Sequence, residues 1–76
     1  MGHIRYRLHL VMAEHRIKQR QLAEVSGVRQ ATISSIHREV SKGIQFDTMT
    51  SLIQGLYKLT GKIYGVGDLI EYVADT

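Results

Sequence analysis

The sequence predicts an all-α protein, a compact bundle of about five helices that forms one domain over residues 4–73. Three observations predict this class. Apolar residues recur at three- and four-residue intervals through most of the chain. The 76 residues contain no proline, which would break a helix. The length allows one small core, close to the lower limit for folding without disulfides or metals.

The outer helices are predicted from apolar stripes. A first helix is expected over residues 4–16, where one face carries Ile4, Leu8, Val11 and Met12. The clearest helix is expected over residues 47–59, with Asp47 as its cap and Gly61 just past its end. The stripe of this helix comprises Phe46, Met49, Leu52, Ile53, Leu56 and Tyr57. Gly55 interrupts it, and we interpret this glycine as a place where another element packs closely.

The C-terminal part gives the weakest pattern. Residues 39–45 are expected to form a loop that turns at Gly43. A short last helix is expected over residues 68–72, and its inward side chains are Leu69, Ile70 and Val73. A short strand at Ile63 and Tyr64 is the alternative that the pattern leaves open.

The centre of the chain, residues 19–36, reads as two short helices joined by a tight turn. Gly27 falls where the chain must reverse with a left-handed backbone, which glycine adopts without steric strain. Val28 follows as an apolar plug between the helices, and the small Ala23 lets the second helix cross closely. The inward face of the unit carries Leu22, Ile33 and Ile36.

The outward face of the second helix carries short, uncharged side chains inside a basic frame. Arg29 and Arg38 flank this face, which comprises Gln30, Ala31, Ser34 and Ser35. Amides and hydroxyls suit base edges, and arginines suit the phosphates beside them. The charge distribution agrees with a polyanionic partner for this unit, because residues 1–45 carry a net charge of +5 and residues 46–76 a net charge of −2. The pattern is a helix-turn-helix and indicates double-stranded DNA as the partner.

These residues resemble the Cro/repressor helix-turn-helix family, the lambdoid phage repressors and their bacterial relatives of the xenobiotic-response-element type. The resemblance is carried by Gln19-x-x-Leu22-Ala23-x-x-x-Gly27-Val28-x-x-x-Thr32-Ile33-Ser34-x-Ile36 and by the closing run Gly67-Asp68-Leu69-Ile70. It implies a lambda-repressor-like bundle with the recognition helix, about residues 30–38, in the major groove. It also implies a transcription regulator that binds inverted repeats as a homodimer.

The resemblance implies a role for each matching position. Gln30 matches the position that reads the first base of a half-site, and a glutamine can pair with adenine N6 and N7. Ala31 offers its methyl group to a thymine methyl, whereas Ser34 and Ser35 reach later bases at close range or through water. Gln19 binds a phosphate together with the N-terminus of its helix. The other expected phosphate contacts are Lys18, Arg29, Thr32, Arg38, Lys42 and Gln45.

Four positions depart from the family pattern, and Gly55 in the predicted fourth helix is one of them. Lys18 and Arg29 stand where serine or threonine usually caps each motif helix, which weakens each cap by about 0.5–2 kcal/mol. Glu39 stands where glycine commonly ends the recognition helix. With glutamate at this position, the sequence does not predict how the chain leaves the helix. The carboxylate would lie unpaired near the DNA face unless Arg38 or Lys42 pairs with it.

The residues give little support for a metal site, a disulfide or a catalytic site. The chain has no cysteine, and no two of its four histidines stand at i, i+4, so we expect neither a disulfide nor a metal. His37 follows Ser34 and Ser35, but the sequence places no carboxylate to orient it for catalysis. Its imidazole either contacts a phosphate or packs against a neighbouring helix. We expect no enzyme activity, cofactor or small-molecule substrate. No membrane-spanning run or signal peptide is visible, and we expect a cytoplasmic protein.

The sequence therefore predicts a sequence-specific regulator that occupies an operator on double-stranded DNA. The alternative is a protein-interaction module, such as an antitoxin-type subunit, built on the same bundle. We expect a homodimer through the acidic C-terminal part, which carries the apolar residues Ile63, Tyr64, Val66, Leu69, Tyr72 and Val73. Closure of the monomer core is the competing explanation for these side chains. The operator, the regulated genes and the choice between repression and activation stay open.

Overall fold

The two ends of the chain meet in a small sheet in the computed structural model, which describes residues 2–74. These residues form five helices and two strands in the order β1 (His3–Tyr6), α1 (Leu8–Glu14), α2 (Gln19–Ser26), α3 (Gln30–His37), α4 (Phe46–Thr60), α5 (Val66–Leu69) and β2 (Ile70–Val73). The predicted helical bundle is confirmed, but the all-α class is wrong because of the sheet. Across residues 2–74, no helix has the length and apolar character needed to span a membrane.

β1 and β2 pair antiparallel, with Ile4 opposite Tyr72 and Tyr6 opposite Ile70. The predicted first helix is therefore wrong at its start, because α1 begins only at Leu8. Ile4 is 60% exposed and lies outside the apolar stripe, whereas Tyr6 is buried. Ile4 and Tyr6 share one face of the strand, but only Tyr6, next to α1, reaches the core. Pairing with β2 satisfies backbone groups that a helix would pair internally.

The last helix also differs from the prediction. α5 is a single turn over Val66–Leu69, and the chain continues as a strand from Ile70, so the helix expected over residues 68–72 is wrong. The strand considered at Ile63 and Tyr64 does not form. Tyr64 is buried in the core and Ile63 is 78% exposed, so the two side chains have opposite surroundings.

α4 is one residue longer at each end than predicted and runs over Phe46–Thr60. Gly61 ends it with a left-handed backbone, φ 75°, as its position in the sequence predicts. Asp47 is not the cap, because Gln45 occupies that position. The side chain of Gln45 makes no capping bond within residues 2–74. Asp47 lies instead in the first turn, where a negative charge favours the positive end of the helix.

The core is an apolar cluster built mainly from α1 to α4. It comprises Tyr6, Leu8, Val11, Met12, Leu22, Ile33, Ile36, Met49, Leu52, Leu56, Tyr64 and Leu69. Phe46 and Tyr57, which the predicted α4 stripe includes, are exposed instead. α2 crosses α4 at Gly55, where an added Cβ would lie 2.9 Å from Ser26 Cβ and 3.1 Å from Leu22 Cδ1. This contact confirms the close packing predicted at that glycine.

Candidate nucleic-acid interface

The turn between α2 and α3 depends on Gly27. Its φ of 74° lies in the left-handed region that glycine adopts freely, and its N–H donates to the Ala23 carbonyl at 3.0 Å. The next N–H, that of Val28, donates to Ser26 Oγ at 3.1 Å. Val28 itself packs against the core, as predicted for a plug between the helices. The helix-turn-helix geometry predicted from the sequence is therefore present.

Neither motif helix is capped by the side chain of its cap residue, which agrees with the weakened caps predicted there. A lysine side chain has no acceptor, and Gln21 Oε1 instead accepts the backbone N–H of Lys18 at 2.8 Å. At α3, the side chain of Arg29 makes no capping bond within residues 2–74. The Arg29 carbonyl accepts the N–H groups of Thr32 at 3.0 Å and Ile33 at 3.1 Å.

α3 turns one face to the core and the other to solvent. Ile33 is buried, and Ile36 lies with it in the apolar cluster. The four predicted base-reading residues lie on the remaining surface of the helix: Gln30 and Ala31 are exposed, and Ser34 and Ser35 are half-buried. A helix with this division can lay its outer face against another molecule without disturbing the core.

Ser35 has already used its hydroxyl proton inside the helix. Its Oγ donates to the Ala31 carbonyl at 3.1 Å, one turn earlier, as serines in helices often do. In this rotamer the hydroxyl offers only lone pairs to a ligand. Within the described chain Ser34 makes no comparable bond, so its hydroxyl can act as donor or acceptor.

An open groove of about 490 Å³ lies beside the start of α3, between the turn, the loop that follows α3 and the first turns of α4. It brings together three predicted phosphate contacts, Arg29, Thr32 and Gln45. Thr48 and Ser51 also line the groove, and sequence reasoning missed both. Their signal is a pair of hydroxyls at i, i+3 near the start of a helix, which gains meaning only once the loop has folded back.

The other predicted phosphate contacts lie elsewhere. Lys18 and Gln19 lie at the start of α2, about 12 Å from the turn for eight helical residues. Arg38 is the C-terminal cap residue of α3, and Lys42 follows in the loop. Asp47 also lines the groove, and its negative charge would repel a phosphate bound there. The predicted set is therefore divided among the start of α2, the groove and the end of α3.

A glutamate with a left-handed backbone, Glu39, directly follows the C-terminal cap residue of α3. The φ of Glu39 is 59°, a conformation that costs a non-glycine residue roughly 1–2 kcal/mol. Its carboxylate pairs with Arg5 of β1, with 3.6 Å between Arg5 Nε and Glu39 Oε1. The pairing partner is thus neither Arg38 nor Lys42, the two cations considered from the sequence. The departure from glycine ties the end of α3 to a strand 34 residues earlier in the chain.

Three of the four histidines contact a ring of another part of the fold. The His37 ring packs edge-on against the His9 ring of α1, with 6.1 Å between centroids, which supports packing against a neighbouring helix. His15 Nε2 is hydrogen-bonded to the Tyr64 hydroxyl, which ties the end of α1 to the segment before α5. Across residues 2–74, no three His, Cys, Asp or Glu side chains gather as potential metal ligands.

Comparison with protein families identifies the same motif. The model of the Cro/C1-type HTH (helix-turn-helix) DNA-binding domain matches residues 7–56, about two thirds of the chain. The match extends from the start of α1 through most of α4, and it leaves β1, α5 and β2 outside. Comparisons with curated proteins and with solved structures give no match.

Proposed function

The chain belongs to the Cro/C1-type helix-turn-helix DNA-binding family, and we propose that it is a sequence-specific transcription regulator with residues 30–38 in the major groove. The observation that carries this proposal is the division of α3 into a buried face at Ile33 and a polar face that begins at the exposed Gln30. The protein would act by occupying an operator rather than by chemistry. We expect it to bind its operator in the cytoplasm.

Gln30 is the strongest candidate for reading a base. It is exposed at the first turn of α3, and its amide offers a donor and an acceptor at a reach that serine lacks. Ala31 adds a methyl contact to thymine, and Ser34 offers a free hydroxyl. Ser35 contributes as an acceptor unless its bond to the Ala31 carbonyl opens. We therefore expect the preference for one base over another to be strongest at the first turn of α3 and weakest at its last turn.

Phosphate contacts are proposed at three places around α3. They are Lys18 and Gln19 at the start of α2, Arg29, Thr32 and Gln45 at the groove, and Arg38 and Lys42 after α3. Contacts on several sides of the recognition helix would fix its position on the duplex, but they carry no sequence information themselves.

The decisive experiment is selection of bound sequences from a random duplex pool. We expect an enriched motif that contains an inverted repeat, and binding that weakens steeply with salt. A pool that shows no enrichment, together with salt-insensitive binding, would refute sequence-specific recognition.

Two variants separate base reading from phosphate binding. Gln30→Ala should lose about 1–3 kcal/mol on the selected site and almost nothing on random duplex. Arg38→Ala should weaken binding to both and lower the salt slope by about one unit. Titrations at several salt concentrations measure both effects. Equal losses on selected and random duplex for Gln30→Ala would remove Gln30 from the base-reading set.

A homodimer through the C-terminal part belongs to the same proposal. One helix covers few base pairs, and two-fold symmetry would place the two helices about 34 Å apart on an inverted repeat. Ile63, Val66 and Tyr72 are exposed and suit an interface, whereas Tyr64 and Leu69 close the core. Analytical ultracentrifugation of wild type and Tyr72→Glu tests this. A wild-type protein that stays monomeric at high concentration and binds without cooperativity would refute the dimer.

The alternative, a protein-interaction or antitoxin-type subunit, is favoured by one feature. Phe46 is 90% exposed at the start of α4, and its ring offers the kind of apolar contact that aromatic residues often make at protein interfaces. This function predicts weak, salt-insensitive binding to duplex that Phe46→Ser leaves unchanged. Enrichment of a duplex motif in the selection experiment would favour the regulator instead.

A further inference from the structure

We propose that Arg5 of β1 is a positioning residue for DNA recognition, because it holds the end of α3 and neutralises the carboxylate there. The inference rests on the proposed DNA-binding function. It assigns a role to a strand that lies outside the match to the family. The residues that carry it are Arg5 and Glu39, together with the neighbouring pair Arg7 and Glu71.

Arg5 lies between two carboxylates. Its Nε is 3.6 Å from Glu39 Oε1 and 3.7 Å from Glu71 Oε1. Glu71 has a second partner, because its Oε2 accepts a hydrogen bond from Arg7 Nη1 at 3.0 Å. Within residues 2–74, Arg5 is the cation that lies within 4 Å of the Glu39 carboxylate. Loss of Arg5 therefore leaves Glu39 unpaired but leaves Glu71 with Arg7.

The backbone at Glu39 directs the chain out of the recognition helix. Its N–H donates to the Ile36 carbonyl at 3.0 Å, and the N–H groups of Val40 and Ser41 donate to the Ser35 carbonyl at 3.0 and 3.3 Å. Ser35 belongs to the proposed base-reading face. The left-handed turn at Glu39 therefore joins the last turn of that face to the loop that follows. The side chain of the same residue anchors this turn to β1.

The pairing matters more for binding than for folding. The Arg5, Glu39 and Glu71 side chains are between 33 and 45% exposed, and ion pairs of that exposure add little to stability. A duplex changes the situation, because an unpaired carboxylate at the end of the recognition helix repels nearby phosphates. Charges act over about 8 Å at physiological ionic strength, which is enough to reach the nearest phosphates from the DNA face.

A double-mutant cycle on the selected duplex tests the coupling between Arg5 and Glu39. At low salt, Arg5→Gln should weaken binding about three- to ten-fold, whereas Arg5→Lys should retain most of the affinity. In the Glu39→Gln background, the same Arg5→Gln change should lower affinity by less than about two-fold, because no carboxylate is left to neutralise. The matched control is Arg7→Gln, which removes the same charge from the cluster but keeps the Arg5–Glu39 pair; it should change affinity by less than about two-fold.

Two results would overturn the proposal. An Arg5→Gln loss that is equal in both backgrounds would mean that Arg5 contacts a phosphate itself. A loss of affinity for Arg7→Gln as large as that for Arg5→Gln would mean that binding depends on the total positive charge of the cluster and not on the Arg5–Glu39 pair.

Amide hydrogen exchange without DNA separates this proposal from the proposed function. Arg5→Gln should speed exchange of the Val40 and Ser41 amides several-fold and leave the buried Leu56 amide unchanged. If the wild type binds no duplex, the proposed function fails and with it the recognition role of Arg5. Faster exchange would then show only that Arg5 holds the end of α3, and unchanged exchange would refute the anchoring in either case.

Discussion

The helical unit, α1 to α4, and the terminal sheet, β1 with β2, belong to the same fold but are stabilised differently. The unit provides most of the buried apolar side chains, from Leu8 to Leu56. The sheet buries Tyr6 and leaves its cross-strand pair, Ile4 and Tyr72, 60% and 65% exposed. Burial therefore dominates in the unit, whereas pairing between the two strands dominates in the sheet. The family match covers most of the helical unit, and Arg5 lies in the sheet, outside that match.

The largest difference is expected between truncation of an isoleucine buried in the helical unit and truncation of an exposed one outside it. Ile33→Ala in α3 should lower the free energy of unfolding by about 2–5 kcal/mol, because it leaves a cavity in the core. Ile63→Ala, at a side chain that is 78% exposed, should change it by less than about 0.5 kcal/mol. Urea unfolding followed by circular dichroism measures both. Similar losses for the two variants would mean that burial does not separate the regions.

Adding a single methyl group gives the next largest contrast. Gly55→Ala should destabilise the protein by about 1–3 kcal/mol despite the better helix propensity of alanine, because the new Cβ would lie 2.9 Å from Ser26 Cβ. Gly67→Ala in α5 is the matched control. Apart from its two chain neighbours and the backbone of its own helix, no atom of residues 2–74 lies within 4 Å of the added Cβ, so this change should be neutral or stabilising. A stabilising Gly55→Ala would show that α2 and α4 can separate without loss.

The same contrast explains what the sequence could predict. α2 and α3 follow from local patterns: a glycine at 27, apolar residues at 33 and 36, and a polar face between them. The sheet cannot be predicted from such local patterns. Ile4 and Leu8 have the four-residue spacing of a helix, and Ile4 and Tyr6 have the two-residue spacing of a strand. The choice depends on a partner strand at the opposite end of the chain, and no local window contains that information.

The candidate site divides in the same way. The outward position of Gln30 follows from its spacing to Ile33, so the sequence predicts it directly. The approach of Thr48 and Ser51 to Arg29 depends on how the loop after α3 folds back. The partner of Glu39 does not follow from the sequence either, because Arg38 and Lys42 are near it along the chain, whereas its actual partner, Arg5, lies in β1.

A smaller effect is expected from the polar contact that ties α1 to the segment before α5. Tyr64→Phe removes the hydroxyl that is hydrogen-bonded to His15 Nε2 and should cost about 0.5–1.5 kcal/mol. Tyr57→Phe is the control, since Tyr57 is exposed and makes no side-chain hydrogen bond within the described chain; it should change stability by less than about 0.5 kcal/mol. Equal unfolding midpoints for the two variants would mean that the His15 contact adds nothing.

The smallest effect is expected in the sheet. Ile4→Ala removes one member of the Ile4–Tyr72 pair, and a cross-strand pair contributes about 0.2–1 kcal/mol. Val40→Ala is the matched control, because Val40 is also 60% exposed but lies in a loop without a cross-strand partner. Amide exchange should quicken in β1 and β2 of Ile4→Ala and stay unchanged at Leu56 in α4, since the sheet can open locally while the helical unit stays folded. A loss above about 2 kcal/mol, with faster exchange throughout α4, would mean that the sheet and the helical unit unfold as one.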